Sequence, residues 1–384
     1  MISGMPENKL KLMERSAESV TPGHPDKICD RIADSFVDEC MRANLEIAPD
    51  KMVGRMAAEV TGGHGEVYVT GECRIAGAET DEDLQAFIRK CEKNIHSIYC
   101  EITGCQLNHV RLNMVPQSAN IAAGVDIGGA GDQGVMIGYA TNETPEMLPL
   151  PFLLARRITN ALYAEALNDP SSWMKSDGKS VVIMRNGKVA SVVVAIQHKD
   201  GFGKEEMTQD LLKRIVVPIV GYAPNRFVVN GAGIFSIGGF EADAGTTGRK
   251  LIIDNYGPEL QIGGGAYSGK DATKVDRSAA YMARYIAKNA VAHQVEGSEK
   301  VMIQLAYAIG IEQPEAIIAI NDKGVDISGW VRDKFDLSPR GIIEKLNLWR
   351  PIYQMVCTGG HYGLDHRTST MLDTWTWENI DQSL

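Results

Sequence analysis

The chain has no apolar run of membrane-spanning length, so no transmembrane helix is expected. The segment Met1 to Arg15 is polar and lacks the apolar core of a signal peptide. Both absences point to the cytoplasm. There is no C-x-x-C pair, and the cysteines number seven, an odd count. Neither a disulfide framework nor a zinc site follows, and reduced, mostly buried thiols are expected. Basic charge is scarce: the net charge is −10, which argues against a general nucleic-acid binder. It leaves room for a small anion, because a few clustered lysines dominate a cleft locally. There is no G-x-S-x-G, no H-E-x-x-H and no convincing nucleophile–base pair. Acyl transfer and zinc hydrolysis are therefore not indicated.

What is present fits a globular chain of two or three domains: 384 residues, 44% hydrophobic and 23% charged. One pattern recurs. Ile28, Ile32, Phe36 and Cys40 step by four after Pro25, which suits a first helical turn. Met52–Val60 and Val67–Ile75 then flank a glycine turn, and Asp81–Ile95 reads as a second helix. The same order returns with helix Phe152–Leu167, strands Ser180–Met184 and Val189–Ile196 around Asn186-Gly187, and helix Glu205–Val216. It returns again with a helix from about Val275, strands Val301–Tyr307 and Ala316–Ile320, and helices near Ile327–Phe335 and Pro339–Leu348. Ser338 is the expected cap of the last. Three similar α+β domains in a roughly threefold arrangement are predicted. Their expected spans are 12–113, 128–231 and 232–372, with 114–127 as a mobile loop.

The loops carry the chemistry. Gly263-Gly264-Gly265 brings backbone N–H groups free of side chains, and Lys270, Asp271, Lys274 and Asp276 follow. Lysines suit phosphate oxygens and carboxylates suit magnesium, so a polyphosphate with its metal is the expected ligand. Gly264 to Lys270 has P-loop spacing, but Asp271 stands where Ser or Thr is required and no strand precedes, so a P-loop is rejected. Gly129 to Gly134 matches G-x-G-x-x-G but leads into a strand, Val135–Ala140, so a dinucleotide fold is rejected. Asp132 within it is a candidate ligand contact. Gly245-Thr246-Thr247-Gly248-Arg249-Lys250 reads as a phosphate-binding turn before an apolar strand, Leu251–Ile253. Ser176–Lys179 reads as a turn whose Lys179 lies within reach of phosphate, and Phe235 between glycines suits stacking on a base. Gly23-His24-Pro25-Asp26-Lys27 reads either as a plain helix start or as an anion and metal site.

These segments, in this order, resemble the S-adenosylmethionine synthetase (methionine adenosyltransferase) family. Gly138-Tyr139-Ala140-Thr141-Asn142-Glu143 and Lys274-Val275-Asp276-Arg277-Ser278-Ala279-Ala280-Tyr281 add to the match, which runs from about Glu18 to Gly363. The resemblance implies synthesis of S-adenosylmethionine from ATP and L-methionine with two Mg²⁺ ions and K⁺, then hydrolysis of the tripolyphosphate. It implies a homodimer or dimer of dimers with shared active sites. By position, Asp26 and Asp276 match magnesium ligands and Glu59 the potassium-site glutamate. His24, Asp177, Lys179, Phe235, Asp243, Arg249, Lys250, Ala266 and Lys270 match ATP-site positions, with His24, Lys179, Arg249 and Lys270 in catalytic roles. Glu72, Gln117, Asp243 and Lys274 match methionine-site positions, and Asp132 a further active-site aspartate. Gln117 to Ile127 is the expected mobile lid.

The chain departs from the family pattern at Asn120, Ile234, Phe240 and Ile262, and in the tail after Thr368. Two other readings stay open: a non-catalytic nucleotide-binding regulatory homologue, and a kinase or ligase that would release ADP or AMP.

Overall fold

The computed structural model describes residues 14–49, 51–118, 128–363 and 373–384. The order strand, helix, two strands, helix occurs three times, followed by a strand in the first two repeats and by a further helix in the third. The first repeat is β1 (Arg15–Val20), α1 (Pro25–Ile47), β2 (Arg55–Gly63), β3 (Glu66–Arg74), α2 (Asp81–Thr103) and β4 (His109–Pro116). The second is β5 (Gly134–Thr141), α3 (Leu150–Asn168), β6 (Met174–Arg185), β7 (Lys188–His198), α4 (Lys204–Leu211) and β8 (Arg226–Val229). The third is β9 (Gly245–Thr246), α5 (Val275–Ala292), β10 (Lys300–Tyr307), β11 (Ala316–Asn321), α6 (Ser328–Lys334) and α7 (Pro339–Lys345). A last helix, α8 (Tyr353–Gly359), follows. The architecture is α+β in three similar units, as the sequence predicts.

The opening strand of each repeat pairs outside its own repeat. β1 runs antiparallel to β6, β5 to β10, and β9 to β2. The first repeat thus lends a strand to the second, the second to the third, and the third back to the first. Three sheets result, ordered β1-β6-β7-β8, β11-β10-β5 and β4-β3-β2-β9. Pulling one unit away would bare strand edges on two sheets, so the exchange ties the ring together.

Each long helix covers a sheet that contains a lent strand. α1 lies on β2 and β9, α3 on β6 and β1, and α5 on β5 and β10. α1 starts where His24 caps it: His24 Nδ1 accepts the Asp26 N–H at 3.2 Å, and Pro25 fills the first turn. Its Ile28, Ile32, Phe36 and Cys40 are fully buried. They join one core that spans the first and third units, while the central unit packs a second core of its own. α5 comes close to β5 because Gly138 has no side chain: a Cβ there would lie 2.1 Å from the Ala283 carbonyl carbon. Gly138→Ala is therefore expected to cost about 1–3 kcal/mol of stability. Chemical denaturation reads it, and an unchanged midpoint would contradict this packing.

The hairpin at Asn186-Gly187 forms as expected, with φ of 51° and 75° at the two turn residues. The Ser338 hydroxyl accepts the Gly341 N–H at 3.0 Å, the expected cap. α2 runs past Ile95 to Thr103, where Gly104 stops it in the left-handed region at φ 72°. Gly129–Gly134 enters β5 and no strand precedes Gly263, so both rejected motifs stay rejected.

Two local expectations fail. Leu251–Ile253 is no strand; Leu251–Asp254 is one helical turn, closed by Asp254 N–H to the Lys250 carbonyl. A tertiary contact outweighs the β preference of these residues, because Lys27 draws the Asp254 carboxylate inward at 2.7 Å. Ser176–Lys179 is not a turn before a strand but lies inside β6, at a break in its register with β7 between Met174 and Gly178. The described cysteines are free thiols, five of the seven buried. Among the described residues no helix is long and apolar enough to cross a membrane.

Candidate active site

At the start of α1, Asp26 gathers the phosphate-type loop around it. Asp26 Oδ1 accepts the Thr246 N–H at 2.9 Å, Lys250 Nζ donates to Asp26 Oδ2, and Arg249 Nε lies 3.7 Å away. Burial raises the Asp26 carboxyl, but the Lys250 and Thr246 hydrogen bonds outweigh it, and the net shift is downward. Burial first, then the Lys250 charge, push the His24 imidazole down to about 4. The ring is neutral at pH 7. Since Nδ1 accepts the Asp26 N–H, the ring proton sits on Nε2, which is a donor. The structure thus places His24, Asp26, Arg249 and Lys250 in one cluster. The helix start and the anion-type cluster are the same object.

Asp177, Lys179 and Asp243 lie beside it. Thr21 Oγ1 donates to the Ser176 carbonyl at 2.6 Å, which holds the His24 turn against β6. Asp177 Oδ2 accepts the Gly239 N–H at 2.8 Å. Burial pushes the Asp177 carboxyl up to about 6, the Gly239 N–H opposes this, and the Asp243 charge adds to it. Lys179 Nζ reaches Glu18 at 2.7 Å on the facing strand, and both side chains are partly exposed. Phe235 is clipped by its backbone, its N–H to His198 Nε2 at 3.0 Å and its carbonyl from the His198 N–H at 2.9 Å. Its half-buried ring stacks on no other ring among the described residues. The neighbouring Ile234 is 84% exposed. Phe240, by contrast, is fully buried, stacked on Tyr99 at 5.3 Å and packed over Gly62. That departure from the family pattern is absorbed into the core.

A second cluster stands at the start of α5. Lys270 Nζ donates to Asp276 Oδ2. Glycines wall that carboxylate: a Cβ on Gly265 would lie 2.0 Å from Asp276 Cγ, and one on Gly134 3.2 Å from its Oδ1. Asp132 follows the Gly131 N–H, which bonds the Thr273 carbonyl at 3.2 Å, so its loop lies on the same turn. Asp271, which breaks the P-loop match, clamps this segment to β2: its Oδ2 accepts the Met56 N–H at 2.7 Å. Lys274 is buried and donates to Asp271. Glu59 reaches solvent from β2. The protein around it raises its carboxyl above the usual range, and Lys270 offsets part of that rise. Gln117 Nε2 donates to Glu72 Oε1 at 3.3 Å, so two of the expected methionine-site residues meet. Ala266 fills the space over Gly248, where a Cβ would come within 2.6 Å. Of the expected lid Gln117–Ile127, residues 119–127, Asn120 among them, lie outside the described residues.

The two clusters hang on one helix. Asp26, Asp30, Asp34 and Asp38 step by four along α1, each 2% exposed or less. Asp30 accepts the Gly248 N–H at 2.9 Å and Asp34 the Gly269 N–H at 2.9 Å. Asp38 accepts Tyr353 N–H at 2.8 Å and Gln354 N–H at 3.1 Å. Arg277 forks onto Asp34 and also donates to the Tyr267 and Lys270 carbonyls at 2.9 and 3.1 Å. Sequence reasoning missed Asp30, Asp34 and Arg277. The D-x-x-x-D-x-x-x-D-x-x-x-D spacing was the available signal.

The carboxylates fit a hard cation. Asp26 and Asp276 offer oxygen donors, and the bare backbone of Gly265 and Gly134 gives the Asp276 carboxylate the space it occupies. No group of three or more His, Cys, Asp or Glu able to hold a metal occurs among the described residues. Magnesium held by one or two carboxylates and completed by phosphate oxygens and water suits this donor set.

Comparison with known families agrees with the geometry. The S-adenosylmethionine synthetase N-terminal domain matches residues 13–117, the central domain residues 127–235 and the C-terminal domain residues 237–379. The last match runs through residues 369–379, so the expectation that the tail after Thr368 departs from the family does not hold as far as residue 379. The chain belongs to the S-adenosylmethionine synthetase family.

Proposed function

We propose that the protein is a methionine adenosyltransferase. It forms S-adenosylmethionine from ATP and L-methionine by attack of the methionine sulfur on C5′ of ATP. It then hydrolyses the tripolyphosphate to pyrophosphate and phosphate. One observation supports this most. Asp26 and Asp276 hold the same place, the second residue of the long helix, in the first and third repeats. Each is paired with a lysine from a glycine-rich loop, Lys250 and Lys270. The central repeat has Pro151 at that place. A polyphosphate with magnesium satisfies both members of each pair: the lysine meets phosphate and the carboxylate meets the cation.

The reaction asks for these residues. A thioether sulfur has a lone pair and no proton to lose, so no general base is needed. The barrier lies in the leaving group, whose negative charge grows as the C5′–O bond breaks. Lys179, Arg249, Lys250 and Lys270 meet that charge with preformed positive charge. Neutral His24 donates its Nε2–H to the departing oxygen. Asp26 and Asp276 would hold magnesium, which would supply further charge stabilisation, and Glu59 would hold potassium. Asp177, Asp243 and Ala266 line the ATP site, with Phe235 stacked on adenine. Glu72, Gln117, Asp243 and Lys274 hold methionine, and Asp132 completes the wall. In-line placement of sulfur and C5′ supplies much of the rest.

The family resemblance, not the geometry of one chain, motivates a homodimer, or a dimer of dimers, in which the Asp26 cluster of one subunit faces the Asp276 cluster of another. The sequence units 12–113, 128–231 and 232–372 remain our proposed domains, each sheet borrowing a strand across them. A regulatory homologue that binds nucleotide without turnover is the alternative, motivated by Ile234 and Ile262.

The assay is direct. With ATP, L-methionine, Mg²⁺ and K⁺, the expected products are S-adenosylmethionine, pyrophosphate and phosphate. ATP binding with no product would favour the regulatory reading, and ADP or AMP would reveal a kinase or ligase.

A further inference from the structure

Asp30 and Asp34 touch neither candidate metal site, yet each holds a loop that carries a candidate cation. Thr247 is locked to β2: its N–H bonds the Val60 carbonyl and its Oγ1 accepts the Val60 N–H, at 2.9 and 3.0 Å. The next N–H, of Gly248, goes to Asp30, and Arg249 and Lys250 follow at once. Gly248 stands at φ 76°, which glycine adopts without a Cβ penalty and which turns this N–H toward α1. Asp30 is itself held by Lys27 Nζ at 2.9 Å. The second loop is hung in the same way. Gly269 stands at φ 85° against the Ala58 carbonyl, and its N–H goes to Asp34. Asp34 orients Arg277, which grips the carbonyls of Tyr267 and Lys270.

Asp30 and Asp34 are one turn apart on a rigid helix, about 6 Å along its axis. We propose that they are positioning residues for adenosyl transfer: Asp30 sets where Arg249–Lys250 stand at the polyphosphate of one shared site, and Asp34 sets where Lys270 stands at the polyphosphate of another. This rests on the adenosyltransferase reading. A preformed electrostatic site loses its advantage when its cations must be ordered during the reaction, so small displacements are costly in rate.

Asp38 supplies the control. It makes the same kind of bond from the same helix face, but to α8, which carries none of the candidate groups. The test compares D30A, D34A and D38A, with D30N and D34N, in the full chain. Measured are kcat and KM for each substrate, hydrolysis of added tripolyphosphate, affinity for ATP–Mg²⁺ by calorimetry, and melting temperature. D30A and D34A are expected to lose about tenfold or more in kcat and in tripolyphosphate hydrolysis, with the methionine KM within about threefold. D30N and D34N keep an acceptor for the loop N–H and are expected to regain part of the loss. D38A is expected to melt lower with kcat within about twofold of the parent.

Folded D30A and D34A with kcat within about twofold of the parent would overturn the proposal. So would D38A losing as much rate as they do. If D34A does not fold, because Arg277 is left buried without its partner, D30A and D34N decide. A parent that makes no S-adenosylmethionine defeats the adenosyltransferase reading alone. Calorimetry then judges the positioning claim: ATP–Mg²⁺ affinity weakened in D30A and D34A but not D38A sustains it, and equal affinities overturn it.

Discussion

Asp276→Asn is expected to lower kcat by about a hundredfold or more while the protein still folds. The substitution changes charge and almost nothing else. Asparagine has the shape of aspartate, so the space framed by Gly265 and Gly134 stays filled as before. Its carbonyl oxygen still accepts from Lys270, which keeps the loop in place. What disappears is the anionic oxygen that a magnesium ion requires, and with it the charge that magnesium brings to the polyphosphate. The loss should fall on kcat more than on the methionine KM, because the missing interaction grows as the leaving group departs. The magnesium concentration for half-maximal rate should rise as well. Turnover and thermal melting, measured together, decide the matter. A folded variant with a near-parental rate would remove Asp276 from the metal site.

The sequence shows the three repeats because their helices and hairpins are local patterns. The step-of-four stripe of α1 and the Asn186-Gly187 turn need no distant partner to be read. The strand exchange is hidden for the opposite reason. Arg15–Val20 has little apolar alternation, and its partner β6 lies far along the chain. Nothing local says which sheet it joins, because pairing of that kind is decided by packing of the whole. Leu251–Ile253 misleads in the same way, since the Lys27–Asp254 ion pair bends an apolar run into a helical turn.

The candidate site divides along the same line. His24, Asp26, Lys250, Lys270 and Asp276 stand in glycine-rich motifs whose chemistry is visible in one dimension. The meetings of Asp26 with Lys250 and of Asp276 with Lys270 require the fold. Asp30 and Asp34 have a visible spacing, but an aspartate among apolar neighbours says nothing until the backbone N–H it receives is known. Glycines at 248 and 269 belong to the same case. Their role is to turn a donor toward α1, and only the positive φ angles reveal it.

Glu378→Gln is expected to destabilise the fold by about 3–5 kcal/mol at pH 7. Residues 373–384 carry Trp375 and Trp377, both buried, and Trp377 stacks on Tyr281 of α5 at 3.9 Å. Glu378 is fully buried between two cations of the same helix, accepting from Arg284 Nε at 2.8 Å and Lys288 Nζ at 2.8 Å. Glutamine leaves both cations in the interior without this counter-charge, which is the costly way to break a buried ion pair. The pH dependence has a definite sign. Burial raises the Glu378 carboxyl, but Arg284 and Lys288 more than reverse this and hold it at about 2, below its ordinary 4.5. A depressed carboxyl stabilises the fold fully above its unfolded value and loses that contribution as pH falls toward its folded value. The gap between parent and E378Q should therefore be widest at neutral pH and close on acidification below about 4.5. Denaturation midpoints of both proteins across that range test it. Equal stability at pH 7, or a gap that widens in acid, would show that the tail is held by its tryptophans and not by this carboxylate.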